Sequence, residues 1–215
     1  MLHCHGTMAG RNAGLYPAAC QIVCLSALIL LPIVAILPVE SQKRDFYGMA
    51  LDLSRLRFLI VDDNDFMRRL LRELLWAMDC SPDNIRFASN GRDAIQLMNG
   101  FPIDMVFCDI NMRPMNGKEF TSYIRNAPNS SDPHVPIIVC TGHAEVAHIC
   151  GARDAGANEI LRKPITANSV YERIRAIVER PRPFVRSADY YGPDRRRRDL
   201  PFDGPDRRMD GPFTV

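Results

Sequence analysis

The sequence has no strong excess of charge of either sign and no paired cysteine motif. Its 215 residues include 27 lysines and arginines against 25 aspartates and glutamates, a formal net charge of +2. This near-neutral balance does not indicate that the whole chain binds nucleic acid. The seven cysteines are odd in number, irregularly spaced and without a CxxC pair. They favour free thiols in a reducing compartment over a disulfide framework.

The chain divides into three zones by composition. Residues 1–50 form a hydrophobic N-terminal segment, residues 55–180 contain alternating strand and helix patterns, and residues 181–215 are rich in proline and arginine. A chain of this length accommodates one domain of ordinary size with terminal extensions. We therefore predict a single folded domain over residues 55–180.

The N-terminal segment has three interpretations. No charged residue occurs from Asn12 to Val39, and an apolar stretch of this length can span a bilayer as an anchor. A signal peptide is the second interpretation, although no clear cleavage site follows. The third is that translation starts at Met49, which directly precedes the predicted domain, so that residues 1–48 are not made.

The three interpretations lead to two expected locations. Lys43 and Arg44 follow the apolar stretch, and the positive-inside rule would leave the rest of the chain in the cytoplasm. We expect a cytoplasmic protein or, alternatively, an inner-membrane anchor with the folded domain in the cytoplasm. Contact with the membrane is expected only if residues 1–48 are part of the protein.

The middle zone alternates short apolar runs with amphipathic stretches. The apolar runs predict strands at 57–61, 84–88, 104–108, 135–140 and 158–162. Apolar residues at helical spacing predict helices after them, most clearly where Phe66, Leu70, Leu74 and Met78 repeat every four residues. This order predicts an α/β fold with a five-stranded parallel sheet and helices on both faces.

Polar and charged side chains follow four of these strands at their carboxyl ends. Asp62 and Asp63 follow the first strand, Asp109 the third, Thr141 the fourth and Lys163 the fifth. Open α/β sheets place their binding sites at this edge. Two carboxylates about 4 Å apart repel by roughly 4 kcal/mol, and a hard divalent cation such as Mg²⁺ would relieve that repulsion. Alternatively, Asp62 and Asp63 only cap the following helix.

The same residues would serve a phosphoryl group carried by Asp109. Mg²⁺ and Lys163 would neutralise its oxygens, and Thr141 would donate a hydroxyl hydrogen bond. Each residue taken alone is ambiguous, since Thr141 could be a helix cap and Lys163 a solvated charge. Their joint order at successive strand ends is what indicates a phosphoryl site.

Residues 57–179 resemble a receiver domain of the bacterial two-component response regulators, the CheY-like family. Four stretches carry the resemblance: Val61-Asp-Asp-Asn-Asp-Phe-Met-Arg-Arg, Phe107-Cys-Asp-Ile-Asn-Met-Arg-Pro-Met-Asn-Gly, Val139-Cys-Thr-Gly and Gly156-Ala-Asn-Glu-Ile-Leu-Arg-Lys-Pro. The resemblance implies a sheet of strand order 2-1-3-4-5. It also implies a stand-alone signalling phosphoacceptor that catalyses only its own phosphorylation and dephosphorylation.

The resemblance assigns a magnesium site to the acidic residues. It implies that Asp109 is the phosphoacceptor and also a metal ligand. Asp63 would bind Mg²⁺ directly, Asp62 would bind it mainly through water, and Asn111 would contribute its backbone carbonyl.

The resemblance further assigns phosphoryl-binding and lifetime-setting roles. Thr141 would be the switch hydroxyl, and Lys163 would form an ion pair with the phosphoryl group. Asn111 lies two residues beyond Asp109, and His143 lies two residues beyond Thr141. We expect these two side chains to flank the attacking water and to set the phosphoryl lifetime.

Two positions depart from the family pattern. Arg113 stands four residues after Asp109, where the family usually has proline, and Pro114 follows it. This departure adds a cation near the site. The aromatic switch residue of the fifth strand is replaced by Ile160, so rotation of an aromatic ring cannot be the output signal here.

The resemblance implies a phosphorylation-controlled signalling protein. A histidine kinase or histidine phosphotransfer protein would donate the phosphoryl group, and the output would be contact with a downstream protein. No DNA-binding domain is expected, because a proline-rich tail cannot supply a helix-turn-helix. A phosphorylation-independent interaction module is the alternative. A phosphohydrolase is disfavoured, because Asn111 stands where such enzymes typically need a second acid.

The C-terminal zone, residues 181–215, has six prolines and no apolar periodicity, and it contains Gly-Pro-Asp-Arg-Arg at 192–196 and again at 204–208. Such a composition predicts a mostly disordered tail. Its arginines could contact acidic lipids or nucleic acid. Interleaved aspartates favour a solvated linker or a docking peptide instead.

Overall fold

The computed structural model describes residues 51–142 and 146–196, without the side chains of 146–148. The expectations for residues 1–50, including Met49, and for His143 lie outside the described residues. Within the described ranges, no helix combines the length and the apolar character needed to cross a membrane.

Five strands alternate with five helices, as the sequence predicts. In chain order they are β1 (Phe58–Val61), α1 (Asp65–Ala77), β2 (Ile85–Ala88), α2 (Gly91–Gly100), β3 (Met105–Asp109), α3 (Gly117–Asn126), β4 (Ile137–Thr141), α4 (Val146–Asp154), β5 (Glu159–Arg162) and α5 (Ala167–Glu179). A short 3₁₀ helix, Pro82–Asn84, precedes β2. Asparagine and threonine side chains cap α1, α2, α3 and α5 at their first turns, which explains where these helices begin.

The sheet has the order β2-β1-β3-β4-β5, and all four strand pairs are parallel. This arrangement confirms the predicted order 2-1-3-4-5. Because the strands are parallel, their carboxyl ends meet at one edge of the sheet, and the side chains that follow them are brought together there.

Alternate residues of the strands enter two separate hydrophobic cores. Phe58, Ile60 and Phe107 pack on one face with apolar residues of α1 and α5. Leu59 and Val106 pack on the other face with residues of α2, α3 and α4. Both faces of the sheet are therefore covered, which explains why the strands read as continuous apolar runs.

Cys108 and Cys140 lie in the two cores as fully buried free thiols. Burial raises the pKa of each thiol well above its ordinary value, so both remain protonated at neutral pH. Their place in the strands agrees with a packing role.

The structure differs from the expectation of disorder at residues 184–193. These residues form an antiparallel hairpin of β6 (Phe184–Ser187) and β7 (Tyr190–Pro193). The hairpin is ordered because Phe184, Val185 and Tyr190 are buried, so the segment has apolar area to offset its loss of conformational entropy. The expectation of a disordered tail is wrong for this part. Residues 197–215 lie outside the described residues.

Arg125, in the last turn of α3, joins the hairpin to the main sheet. Its guanidinium is buried and donates hydrogen bonds to the carbonyls of Gly156 and Pro133 and to the side chain of Asn158, at 2.7 to 3.0 Å. The same group lies 5.1 Å from the ring centroid of Phe184. Burial lowers the pKa of Arg125 to about 10, which still leaves it charged at neutral pH.

Candidate functional site

The carboxyl edge of the sheet gathers four of the predicted site residues. Asp62 directly follows β1, Asp109 is the last residue of β3, Thr141 is the last residue of β4, and Lys163 directly follows β5. Asp62, Asp109 and Thr141 are buried, with exposed fractions of 2%, 7% and 1%. The predicted site therefore contains two buried carboxylates, those of Asp62 and Asp109.

Lys163 links the two buried carboxylates. Its Nζ atom lies 2.7 Å from Oδ1 of Asp109 and 3.1 Å from Oδ2 of Asp62. The lysine side chain is about one quarter exposed, so its ammonium is accessible from solvent while it binds buried oxygens. This contact neutralises part of the charge that would otherwise separate the two aspartates.

Backbone N–H groups hold the other oxygen of each carboxylate. Oδ2 of Asp109 accepts a hydrogen bond of 2.7 Å from the N–H of Asn111, and Oδ1 of Asp62 accepts one of 2.8 Å from the N–H of Asn64. Both are short turns in which an aspartate binds the N–H two residues on. Each carboxylate is thus held on two sides.

The pKa directions follow from this environment. Burial raises the pKa of the Asp62 carboxyl, although the Asn64 N–H and the Lys163 ammonium act in the opposite direction. Burial alone would lower the pKa of Lys163, but its hydrogen bond to Asp109 and the charges of Asp109 and Asp62 raise it. Lys163 is therefore firmly cationic at neutral pH.

The alternative that the acidic pair only caps α1 is wrong. The helix is capped by Asn64, whose side chain accepts a hydrogen bond from the N–H of Phe66. Asp62 instead points its two oxygens to Asn64 N–H and Lys163. This role of Asn64 was not among the predictions, although asparagine just before an amphipathic run is a cap signal.

Asp63, unlike Asp62, is exposed. Within residues 51–142 and 146–196, no three acidic, histidine or cysteine side chains come together closely enough to hold a metal ion. The structure thus brings together Asp62, Asp109 and Lys163, and does not add Asp63 to that cluster. The available donors are nonetheless carboxylate and backbone carbonyl oxygens, the chemistry that suits Mg²⁺.

Thr141 and Lys163 are joined through their backbones. The N–H of Lys163 donates a hydrogen bond of 2.8 Å to the carbonyl of Thr141, one residue beyond the β4–β5 ladder. The predicted switch hydroxyl and the predicted phosphoryl-binding cation therefore sit on neighbouring, hydrogen-bonded segments.

The loop after β3 closes back onto the site through Gly117, which sequence analysis did not single out as a site residue. Its N–H donates to the carbonyl of Ile110, and a Cβ atom at this position would collide with the backbone carbonyl of Asp109. Glycine is therefore required for α3 to begin so close to Asp109. The Asn-Gly pair before an amphipathic run was the available signal.

Arg113 and Asn111 are exposed on this loop. Together with Pro114 they line an open cavity of about 770 Å³ beside β3. Ile160, which replaces the family aromatic, lies half-buried on β5 and packs against the second core. Of the two departures from the family pattern, Arg113 therefore lies on the loop after β3 and Ile160 lies on β5.

The family model of the response regulator receiver domain matches residues 58–175. The chain belongs to the response regulator receiver family. Receivers of this family act as signalling phosphoacceptors in two-component systems rather than as typical enzymes, and the predicted family resemblance is confirmed.

Two chemotaxis proteins are similar to this receiver over the same region. The chain is 33% identical to chemotaxis protein CheY-3 of Vibrio cholerae over 125 residues, which are 58% of this chain and 93% of that protein. It is 32% identical to chemotaxis protein CheY of Pseudomonas aeruginosa over 125 residues, 58% of this chain and 98% of that protein. The hairpin and the N-terminal zone extend beyond the family match.

Solved structures agree with the fold. A two-component response regulator from Clostridium difficile is similar with a TM-score of 0.51 and 25% identity, over 59% of this chain and 98% of that one. The chemotaxis protein CheY4 of Vibrio cholerae is similar with a TM-score of 0.51 and 23% identity, over 57% of this chain and 98% of that one. Because CheY4 is only 23% identical, its similarity supports the fold and nothing further.

Proposed function

We propose that Asp109 accepts a phosphoryl group from a phosphohistidine and that this event controls the protein's contacts with other proteins. The observation that supports it most strongly is the 2.7 Å contact between Lys163 Nζ and Asp109 Oδ1 at the carboxyl edge of the sheet. A cation that already pairs with the acceptor carboxylate is positioned to neutralise phosphoryl oxygens once they arrive.

In the proposed transfer, an oxygen of Asp109 attacks the phosphorus atom while the phosphorus–nitrogen bond of the phosphohistidine breaks. The products are an acyl phosphate on Asp109 and a histidine whose released nitrogen takes a proton from solvent. The hydrogen bond from the Asn111 N–H fixes the rotation of the carboxylate, so that one oxygen is held while the other faces Lys163. The ion pair between Lys163 and Asp62 holds the ammonium in place.

Mg²⁺, when bound, would neutralise charge on the phosphoryl oxygens. Asp62, Asp63 and Asp109 would hold it together with the backbone carbonyl of Asn111, because these oxygens are the donors that the ion prefers. Lys163 contacts one oxygen of Asp62 and one of Asp109, so a bound Mg²⁺ would share these two carboxylates with the ammonium.

The proposed donor is a histidine kinase or a histidine phosphotransfer protein, and the proposed output is binding of a downstream protein in the cytoplasm. Thr141 supports this output, because its buried position at the end of β4 lets a new charge on Asp109 shift the segment that leads to α4. Such a shift selects between two conformations that exist beforehand.

The test is phosphorylation of the full-length protein by acetyl phosphate in the presence of Mg²⁺, followed by measurement of the intact mass. One added phosphoryl group is expected, and it should be lost in Asp109→Asn and in the presence of a chelator. Asp104→Asn is a matched control, since Asp104 pairs with Arg57 at the opposite edge of the sheet and its variant should still be phosphorylated.

A phosphorylation-independent interaction module is the second candidate. It is favoured by Ile160, which removes the ring whose rotation would report phosphorylation, and by the position of Asp63 outside the Asp62–Asp109–Lys163 cluster. No mass increase with acetyl phosphate, together with no Mg²⁺ binding, would support this candidate and reject the first.

A further inference from the structure

A pocket of about 400 Å³ lies at the end of the sheet opposite to the acidic site. Its walls are the residues that lead into β4 and β5, the last turn of α5, and the segment 180–184 that leads to the hairpin. The family match ends at residue 175, so one wall of the pocket lies outside it. The volume is within the range of pockets that hold small organic ligands.

Much of the pocket wall is apolar and partly aromatic. Ala176 and Ile177 of α5 form one side, and the rings of His134 and Phe184 form another, with centroids 4.9 Å apart in an edge-to-face arrangement. Such surfaces favour the face or edge of a flat ring over a highly hydrated ligand.

Two hydrogen-bond donors of this pocket have no partner among the residues that the structure describes. Asn158 is 9% exposed, and its Oδ1 atom accepts hydrogen bonds from Arg125 and from the N–H of Ile137. No acceptor for its Nδ2 atom occurs within the described ranges, nor does any ion pair or hydrogen bond for the guanidinium of Arg180. A ligand oxygen lying in the pocket could accept a hydrogen bond from either donor.

Basic residues outnumber acidic residues around the pocket. Glu159 lies 3.3 Å from Arg173 and 3.8 Å from Arg182. Asp132 accepts a hydrogen bond from the N–H of His134. Arg173, Arg180 and Arg182 together exceed Glu159 and Asp132 by one positive charge, which favours an anion.

We propose that this pocket binds a small aromatic carboxylate. The ring would lie against Ile177 and Phe184, and the carboxylate would accept hydrogen bonds from Asn158 Nδ2 and Arg180. The proposal does not depend on phosphorylation, because the pocket and Asp109 lie at opposite ends of the sheet.

The experiment compares three probes of nearly equal shape with the full-length protein: benzoate, benzamide and benzylamine. Binding is measured by calorimetry and by chemical-shift perturbation. Benzoate should bind saturably and about tenfold more tightly than benzamide, since a charged hydrogen bond replaces a neutral one. Benzylamine should bind more weakly than benzamide.

Three variants locate the site. Arg180→Gln should weaken benzoate about tenfold and leave benzamide unchanged. Arg92→Gln changes the net charge equally at an exposed position outside the pocket and should change neither affinity. Ala176→Phe should fill the cavity and abolish binding of both probes. The proposal is overturned if benzoate does not bind saturably, if the two arginine variants lose equal affinity, or if Ala176→Phe still binds benzoate.

Discussion

The Nζ atom of Lys163 lies 2.7 Å from Oδ1 of Asp109, so the proposed phosphoacceptor carries a paired cation before any phosphoryl group arrives. Burial of Asp109 strengthens this pair, because the attraction between charges grows as water is excluded. The same ammonium reaches Asp62, and its removal would leave two buried carboxylates without a cation between them.

Lys163→Gln should lower the rate of phosphorylation by acetyl phosphate by about 100-fold, the size of effect seen when one charge-stabilising group is lost. The rate is measured by the time course of intact mass. Arg162→Gln, at the adjacent exposed position, is the matched control and should retain the normal rate. Equal rates in the lysine variant and the unmodified protein would reject the role given to Lys163.

Asp62→Asn should make the protein more stable at neutral pH, by about 1 kcal/mol, the common size of a single-substitution effect. Burial raises the pKa of Asp62 above its ordinary value of 3.8, so between the ordinary and the raised pKa the folded state binds more protons than the unfolded state. The free energy of unfolding contributed by this group therefore falls as pH rises through that interval.

Urea denaturation between pH 3 and pH 8, roughly the interval around an aspartate pKa, measures this effect. The free energy of unfolding of Asp62→Asn should fall less than that of the unmodified protein as the pH rises above 3.8. Asp63→Asn, at the exposed neighbouring position, should follow the unmodified protein. An asparagine variant at 62 that is less stable at every pH would contradict the prediction.

Gly192→Val should separate the hairpin from the segment around Gly156. A Cβ atom at residue 192 would lie 2.7 Å from the hydroxyl of Tyr190 and 3.0 Å from Cα of Gly156, closer than side chains tolerate. The expected cost is about 1–3 kcal/mol, with faster hydrogen exchange over residues 184–193. Gly100→Ala is the control, because no atom lies within 4 Å of its added Cβ. Unchanged exchange in the valine variant would show that the hairpin does not depend on this close approach.

Arg125→Met should be among the most destabilising single substitutions in the described region. It removes three hydrogen bonds and leaves the carbonyls of Gly156 and Pro133 without that donor inside the protein. The expected loss is about 3–5 kcal/mol by chemical denaturation. Arg69→Met, whose exposed ion pair with Asp65 contributes little, should cost less than about 1 kcal/mol. Similar losses in the two variants would contradict the structural role of Arg125.

His143→Ala and Asn111→Ala should each change the rate of autodephosphorylation several-fold, since both positions are expected to flank the attacking water. The measurement is the decay of the phosphorylated mass after removal of acetyl phosphate. Asn126→Ala, at the far end of α3, is the control. An unchanged decay in His143→Ala would remove that residue from the proposed mechanism, and the same reasoning applies separately to Asn111.

Much of the fold could be predicted because buried parallel strands leave a strong local signal. The runs around Ile60, Val106 and Val139 are apolar on both faces, and the helices between them carry one apolar face each. The location of Asp62, Asp109, Thr141 and Lys163 at one edge then follows from the parallel direction of the strands. The helix cap by Asn64 could also have been predicted, had the local cap signal been preferred to the nearby aspartates.

The hairpin could not be predicted from composition, because its proline and arginine content is typical of disordered segments. What orders it is distant in sequence: Phe184 packs near Arg125, Tyr191 contacts His134, and Arg195 pairs with Asp154. A local pattern carries no information about partners that lie 40 to 60 residues away, roughly the separation of these contacts. The pocket that Phe184 lines could not be predicted for the same reason.

The sequence by itself determined the alternation of strands and helices, the sheet edge at which the site lies and the chemistry of its side chains. These features depend on local periodicity and on the residue that follows each strand. Only the tertiary structure decided that Lys163 contacts both Asp62 and Asp109, that Asp63 stays outside this contact, and that the hairpin packs next to Arg125 of α3 and Gly156. These outcomes depend on distances between segments far apart in the chain, and those distances are set by packing in three dimensions.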